Sequence, residues 1–323
     1  MTEPLALKNL GTAPAHFADR LDAAIARKRS CLVVGIDPVL DRLPHEVVAQ
    51  VPGLNATIAD PGRVSCARAA AAFALFAEGV IHATADHAVA IKPNTAFFER
   101  FGAAGWDALH VVCRKAQAAG LLVITDAKRG DIDSTAEAYA DAFLGDRPDT
   151  VGAHTDALTV NPYLGTDGMK PFLAAARRGG KGLFVLVRTS NPSAAELQDR
   201  ELDGAPLYAR VAELVARWGG DLLGSSGLSA VGAVVGATAS RQAVEIRALL
   251  PNAVFLVPGY GAQGADADAI RPNFRPGGRG AIVNASRSVI FAYEKERSMP
   301  WQEAVRRAAQ AAKEDLERVR RNG

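Results

Sequence analysis

The chain reads as a single-domain α/β protein, a (β/α)8 (TIM) barrel with one helix before it and one after it. Three observations predict this. Short apolar, β-branched runs bounded by Gly, Pro or Asp recur eight times, and Ala-rich segments of helical period separate them. No linker-like composition shift, low-complexity tract or longer repeat divides the 323 residues. Near-continuous apolar strands alternating with helices form a parallel sheet buried on both faces, and eight of them favour a closed barrel over an open sheet. The domain then spans 1–323, with the barrel over about 30–295.

In order along the chain, a helix over about 14–29 precedes the first strand, Cys31–Ile36 (CLVVGI). The next strands are Ala88–Lys92 (AVAIK), Leu121–Asp126 (LLVITD), Ala157–Val160 (ALTV) and Leu183–Val187 (LFVLV). Val231–Val235 (VGAVV), Ala253–Val257 (AVFLV) and Ala281–Asn284 (AIVN) complete the eight. Helices fit between them at about 64–85, 104–119, 133–144, 167–179, 205–219 and 239–249. A last helix over about 300–321 carries Trp301, Val305, Ala308, Ala312, Leu316 and Val319 near one stripe, with charges opposite, and closes the outer ring. Two intervals exceed what a barrel needs, Pro38–Arg63 after the first strand and Asn191–Gly204 after the fifth. Both follow strand C-terminal ends, where lids and binding loops lie. Arg271–Gly280 (RPNFRPGGRG) reads as a turn-rich loop whose arginines could touch an anion, a solvated loop being the commoner case.

Composition narrows the function classes. With 37 Lys+Arg against 35 Asp+Glu the formal charge is +2, and no basic run is interleaved with aromatics, which argues against nucleic acid as a partner. The longest uninterrupted apolar run, Ala69–Ala77, falls far short of the roughly 20 residues of a spanning helix, so no membrane partner is expected. The first residues, MTEPLALKNLG, lack a basic region followed by an apolar one, and the expected location is cytoplasmic. Cys31, Cys66 and Cys113 are odd in number and far apart, which fits buried small hydrophobes rather than a disulfide framework. The six histidines form no HExxH or HxH pair, so no metal site is expected.

The strongest chemical signal is Asp126-Ala-Lys128-Arg-Gly-Asp131-Ile at the end of the third strand. Residues two apart on a strand share a side, so Asp126 and Lys128 face the barrel mouth and Ala127 the helices. Gly130 allows a sharp turn that brings Asp131 to the same rim. Carboxylates beside Lys128 hold it charged, a proton donor rather than a Schiff-base amine. Asp37 and Lys92, at the ends of the first two strands, add alternating charge there. Four such charges in one barrel mouth read as a network, though an isolated Asp is more often a turn former and an isolated Lys a solvated head.

The second signal is Pro258-Gly-Tyr-Gly261-Ala-Gln263-Gly after the seventh strand, which contains a literal GxGxxG. A dinucleotide reading fails on context, because that motif follows the first strand of a unit and the next strand should end in an acid, whereas here it ends in Asn284. Exposed glycine amides suit a phosphomonoester equally well, and barrels hold phosphate at the loops after strands seven and eight. Arg287, three residues past the eighth strand, would supply a forked donor to it. The loops Thr189-Ser190-Asn-Pro and Asn161-Pro-Tyr163 offer groups that could read a polar ring edge and could equally be ordinary turns.

Together DAKRGDI, the charged ends of GIDP and IKPN, the TSNP loop, PGYGAQG and NASRS resemble the orotidine 5'-phosphate decarboxylases, in their longer bacterial (type 2) subgroup. The resemblance implies a cofactor-free, metal-free conversion of orotidine 5'-monophosphate to UMP and CO2, the last step of de novo pyrimidine synthesis, by a homodimer with shared sites. By that resemblance Lys128 is the proton donor and Lys92, Asp126 and Asp131 are its charged partners, Asp131 entering from the opposite subunit accompanied by Thr135. Asp37 matches the ribose-binding aspartate, Ser190 the pyrimidine-reading hydroxyl, and Gln263 with Arg287 the phosphate clamp beside Pro258 and Gly261. One departure is Asp133, which stands where the subgroup is expected to carry Gly. Two rivals remain for comparison: metal-dependent sugar-phosphate enzymes on the same DxKxxD barrel, separable by chelator sensitivity, and a non-catalytic nucleotide-phosphate barrel, separable by binding without turnover.

Overall fold

The computed structural model describes residues 15–54, 65–261 and 268–321. Eight parallel strands close on themselves: β1 (Leu32–Ile36), β2 (Ala90–Pro93), β3 (Leu122–Arg129), β4 (Ala157–Val160), β5 (Gly182–Arg188), β6 (Ser229–Val235), β7 (Ala253–Pro258) and β8 (Ala281–Ala285). Neighbours in sequence are neighbours in the barrel, and β8 returns to β1 with Val33 opposite Asn284. Closure leaves no strand edge unpaired, so each strand is buried on both faces and reads as an apolar run. A separate two-residue antiparallel pair, Glu201–Leu202 with Ala205–Pro206, lies in the long interval after β5.

The first helix, α1 (Phe17–Lys28), is not part of the outer ring. Its stripe of Phe17, Ala18, Leu21, Ala24 and Ile25 packs with Val33, Ile124, Ala157, Phe184, Val254 and Ile282, the residues that fill the barrel interior. The helix therefore plugs the N-terminal mouth. Phe17 meets the Phe184 ring edge-on at 5.9 Å, and Gly182 makes room for it, since a Cβ there would stand 2.2 Å from the Phe17 ring. Hydrogen bonds from Ser225 and Ser226 to the Asp19 carboxylate fix the plug's rim.

The outer ring holds α2 (Cys66–Thr84), α3 (Gly102–Ala118), α4 (Asp133–Leu144), α5 (Gly165–Gly179), α6 (Leu207–Gly219), α7 (Ser240–Leu249) and α8 (Trp301–Arg321). Ser65 caps α2 by accepting from the Arg68 amide at 3.2 Å. By length and composition α2 would reach across a bilayer, but Ala72, Phe73, Phe76 and Val80 are buried in the core. On α8 the buried stripe runs Trp301, Val305, Ala309, Ala312, Leu316 and Val319, Ala309 being buried while the expected Ala308 is only half-buried.

Three expectations need correction. Cys66 is exposed at the start of α2, and only Cys31 and Cys113 are buried. The Arg271–Gly280 loop is not solvated throughout: Asn273 and Phe274 are buried, Arg247 donates to the Asn273 and Gly280 carbonyls, and Arg279 pairs with Asp22 at 2.7 Å. β3 does not end at Asp126 but runs to Arg129, because a bulge between Thr125 and Arg129 lets it advance four residues while β4 advances two.

Candidate active site

Two residues beyond the interior layer of Val33, Ala90, Ile124 and Ala157, strand periodicity turns Gly35, Lys92, Asp126 and Thr159 toward the C-terminal mouth. There Asp126 sits between two ammonium groups. Its Oδ2 accepts from Lys92 Nζ at 2.5 Å, and its Oδ1 accepts from Lys128 Nζ at 2.6 Å and from Thr159 Oγ1 at 2.9 Å. Lys92 and Asp126 are 5% and 7% exposed, whereas the Lys128 side chain keeps 48% exposure and reaches into the mouth. The buried pair is fixed and the outer lysine is free to meet a ligand.

Burial by itself would raise the Asp126 carboxyl, but the charges of Lys92 and Lys128 overcome that and hold it well below the usual carboxylate range. Burial likewise works against the Lys92 ammonium, and Asp126 with the more distant Asp37 outweighs it, so Lys92 is held above the ordinary lysine value of 10.5. The buried Lys92–Asp126 pair is therefore cation and anion across neutral pH.

The backbone contributes to this geometry in a way strand alternation does not foresee. Lys128 lies in the bulge with φ of 49°, the left-handed region that non-glycine residues seldom take. Its amide donates to Thr159 Oγ1 at 3.0 Å, which holds the turn in place. The strained residue is thus the lysine itself, the kind of cost that persists where surrounding structure over-determines it. Gly130, expected to supply that turn, has no left-handed φ; it allows close approach instead, since a Cβ would stand 2.9 Å from the Asn161 carbonyl. Ala127 faces the helices as expected and is buried in their core.

The other expected residues lie around the same rim without touching that row. Asp37 follows β1 and accepts from Ser286 Oγ at 2.5 Å. Ser190, after β5, is half-buried and packs against Gly236, while Thr189 beside it is tied to Gln198 and Arg188 forms a two-pronged pair with Asp199. Pro258 ends β7, and its carbonyl accepts from the Ala237 amide at 2.9 Å. Gly259 and Gly261 follow with φ of 100° and 73°, left-handed backbone that favours glycine. Gln263 lies outside the described residues. Arg287, at the start of a short helical turn after β8, is exposed, and among the described residues its guanidinium has no ion-pair or hydrogen-bond partner.

Asp131 and Thr135 are not brought to the lysines within one chain. Asp131 is half-buried, its Oδ1 accepts from the Ile132 amide at 2.8 Å, and among the described residues it forms no ion pair. Thr135 is exposed on α4. Asp133, between them, has φ of 47°, which is a physical reason for a glycine there. Sequence reasoning passed over Thr159, Asn284 and Ser286. The first two carried a signal, a polar residue at an inward position near the end of an otherwise apolar strand, as in ALTV and AIVN.

A family model described as "Orotidine 5'-phosphate decarboxylase / HUMPS family" matches residues 74–299. The chain is 44% identical over 307 residues to an orotidine 5'-phosphate decarboxylase of Rhodopirellula baltica, covering 93% of this chain and 98% of that one. It is 37% identical over 314 residues to one of Caldicellulosiruptor saccharolyticus, again covering 93% and 98%. The solved structure of Leishmania donovani OMP decarboxylase is similar with a TM-score of 0.71 and 34% identity, over 94% of this chain and 98% of that one.

Proposed function

The chain belongs to the orotidine 5'-phosphate decarboxylase family and is an enzyme that converts orotidine 5'-monophosphate to UMP and CO2 in pyrimidine biosynthesis, and from that premise we propose that the Lys92–Asp126–Lys128 row is its catalytic centre, acting without a cofactor. The observation that carries this is the half-exposed Lys128 ammonium held at 2.6 Å by a buried carboxylate.

The reaction breaks the bond between C6 of the pyrimidine and its carboxyl group. CO2 leaves, and the electron pair stays on C6 in the ring plane, with no adjacent sink to delocalise it. A fixed positive charge beside that pair lowers its energy without reorganisation. Lys128 supplies the charge, then transfers a proton from Nζ to C6, and solvent restores the ammonium. Asp126 positions Lys128, and Lys92 keeps Asp126 ionised. Ser190 reads the pyrimidine edge and Asp37 the ribose. Arg287 with the Pro258–Gly261 turn and Gln263 takes the phosphate, whose binding energy is realised in the transition state.

The site is completed in a homodimer, in which Asp131 and Thr135 enter the partner's mouth. Ile132, Tyr163 and Leu164 support this reading, because these large apolar side chains are 47%, 80% and 49% exposed where β3 and β4 lead into α4 and α5. A cytoplasmic setting is supported by three cysteines that are all unpaired.

Purified protein should deplete orotidine 5'-monophosphate, followed by absorbance, at the same rate with and without EDTA. Lys128→Ala should lose nearly all turnover while still binding UMP, since Arg287 is untouched. Activity abolished by EDTA and restored by Mg²⁺, or a Lys128→Ala variant of near-normal rate, would overturn the assignment.

A further inference from the structure

The turn that leaves β7 is tied to the last helix of the chain by one side chain. Tyr260 sits between Gly259 and Gly261, so the backbone on both sides of it lies in the left-handed region, where glycine moves most freely. Tyr260 itself is half-buried, its ring leans on the core, and its hydroxyl donates to Asp315 Oδ2 on α8 at 2.7 Å. Burial, and after it the Asp315 carboxylate, pushes the phenol above its ordinary value of 10.0, so it remains a donor throughout neutral pH. Asp315 is held in its turn by Arg318, three residues further along α8, which pairs with it at 2.9 Å.

Packing braces the turn little from that side. It meets α8 around a cavity of about 530 Å³, to which the helix contributes the short side chains of Ala308, Ala311 and Ala312. Gly261 approaches the segment after β8 instead: a Cβ on it would stand 3.3 Å from Oγ of Ser288, the neighbour of Arg287. A turn with glycine on both sides of its tyrosine has several orientations within reach, and a hydrogen bond to a charged acceptor is strong enough to select one of them. We propose that Tyr260, acting through Asp315, is a positioning residue that fixes the turn after β7 in the orientation that meets the substrate phosphate. The proposal rests on the reading above that places the phosphate at this turn and Arg287. It gives α8 a part in substrate binding through two side chains that the phosphate need not touch.

The experiment compares the dissociation constants of UMP and of uridine, which lacks the phosphate, by titration calorimetry. The proteins are the wild type, Tyr260→Phe, Asp315→Ala and the double variant, with folding checked by circular dichroism. Tyr260→Phe keeps the ring and loses only the hydroxyl. It should bind UMP about tenfold more weakly, because losing a bond to a charged group lowers the share of turns in the binding orientation by about that factor, and it should bind uridine as the wild type does. Asp315→Ala should match it, and the double variant should be no weaker than either, since both changes remove the same bond. Normal UMP binding by Tyr260→Phe or by Asp315→Ala, or equal loss of UMP and uridine affinity, would leave Tyr260 a structural residue only and overturn the proposal, as would single effects that multiply in the double variant. Failure of the underlying reading looks different: Arg287→Ala would then leave the ratio of UMP to uridine affinity unchanged.

Discussion

Replacing Asp126 with Asn removes the charge between two lysines and one of its two acceptor oxygens. The carboxamide is nearly isosteric and its oxygen can still accept from Thr159 and Lys128, but its NH2 then faces the Lys92 ammonium, so the change removes both the charge and the hydrogen bond that hold Lys92. Lys92 then remains an ammonium in a place only 5% exposed, its strongest partner gone. Breaking a buried pair by deleting one member costs about 3–5 kcal/mol, and Lys128, half in solvent, adds little to that. At roughly 2–3 °C per kcal/mol for a chain of this size, the midpoint of thermal unfolding should fall by roughly 6–15 °C at neutral pH. The pH dependence carries a sharper signature. In the wild type Lys92 is raised above 10.5, so its contribution is complete below that pH and is lost only above it. In the variant, burial without the counter-charge depresses Lys92. The unfolded chain then binds the proton more readily, and stability rises with pH toward 10.5. Thermal unfolding followed by circular dichroism at several pH values between about 7 and 10 should show the deficit narrowing as pH rises. A deficit under about 1 kcal/mol at neutral pH, or one that widens with pH, would refute the description of Lys92 and Asp126 as a coupled buried pair.

Two further outcomes test the interface and the turn beside it. Lys128→Ala and Asp131→Ala homodimers should each be nearly inactive, yet equal mixtures allowed to exchange subunits should recover about a quarter of wild-type activity, because half the dimers are mixed and one of their two sites is intact; a mixture that stays dead after verified exchange places Asp131 in its own chain's site. At Asp133, where φ is 47°, Asp133→Gly should be more stable than Asp133→Ala by about 1 kcal/mol in urea unfolding, the reverse of the usual helix ranking; Ala equal to or above Gly would mean that this backbone is not left-handed.

Much of the architecture could be read from the amino acids because a parallel barrel buries both faces of every strand. Runs such as LFVLV and AVFLV therefore have no polar alternation to confuse them. The charges at Lys92, Asp126 and Lys128 were equally plain, since ionised groups at the ends of apolar strands are costly unless they pair. What escaped were features set by contacts distant in sequence. Strict alternation along β3 correctly sends Asp126 and Lys128 to one side, but it contains no information about the bulge, which depends on how β4 registers against β3. The stripe on α1 announces an apolar face and cannot say whether it covers the barrel's side or its end; that is decided by Gly182 and Phe184, more than 160 positions later. Asn284 and Thr159 look like interruptions of strands until the closed sheet turns them toward the same opening.

The plug at the N-terminal mouth has a consequence for how the molecule is made. α1 is synthesised before every strand of the barrel, yet its apolar stripe has no place to rest until β5, β6, β7 and β8 have been synthesised and the barrel is closing, because Phe184, Val234, Val254 and Ile282 are among its partners. Until then the helix is an amphipathic segment with an uncovered apolar side, and its docking is among the long-range contacts of the barrel. Such contacts form late and slow the search for the native state, and surface left bare meanwhile is what chaperones bind and aggregates grow from. A core helix placed ahead of the barrel it closes ties its own docking to the synthesis of the last strand.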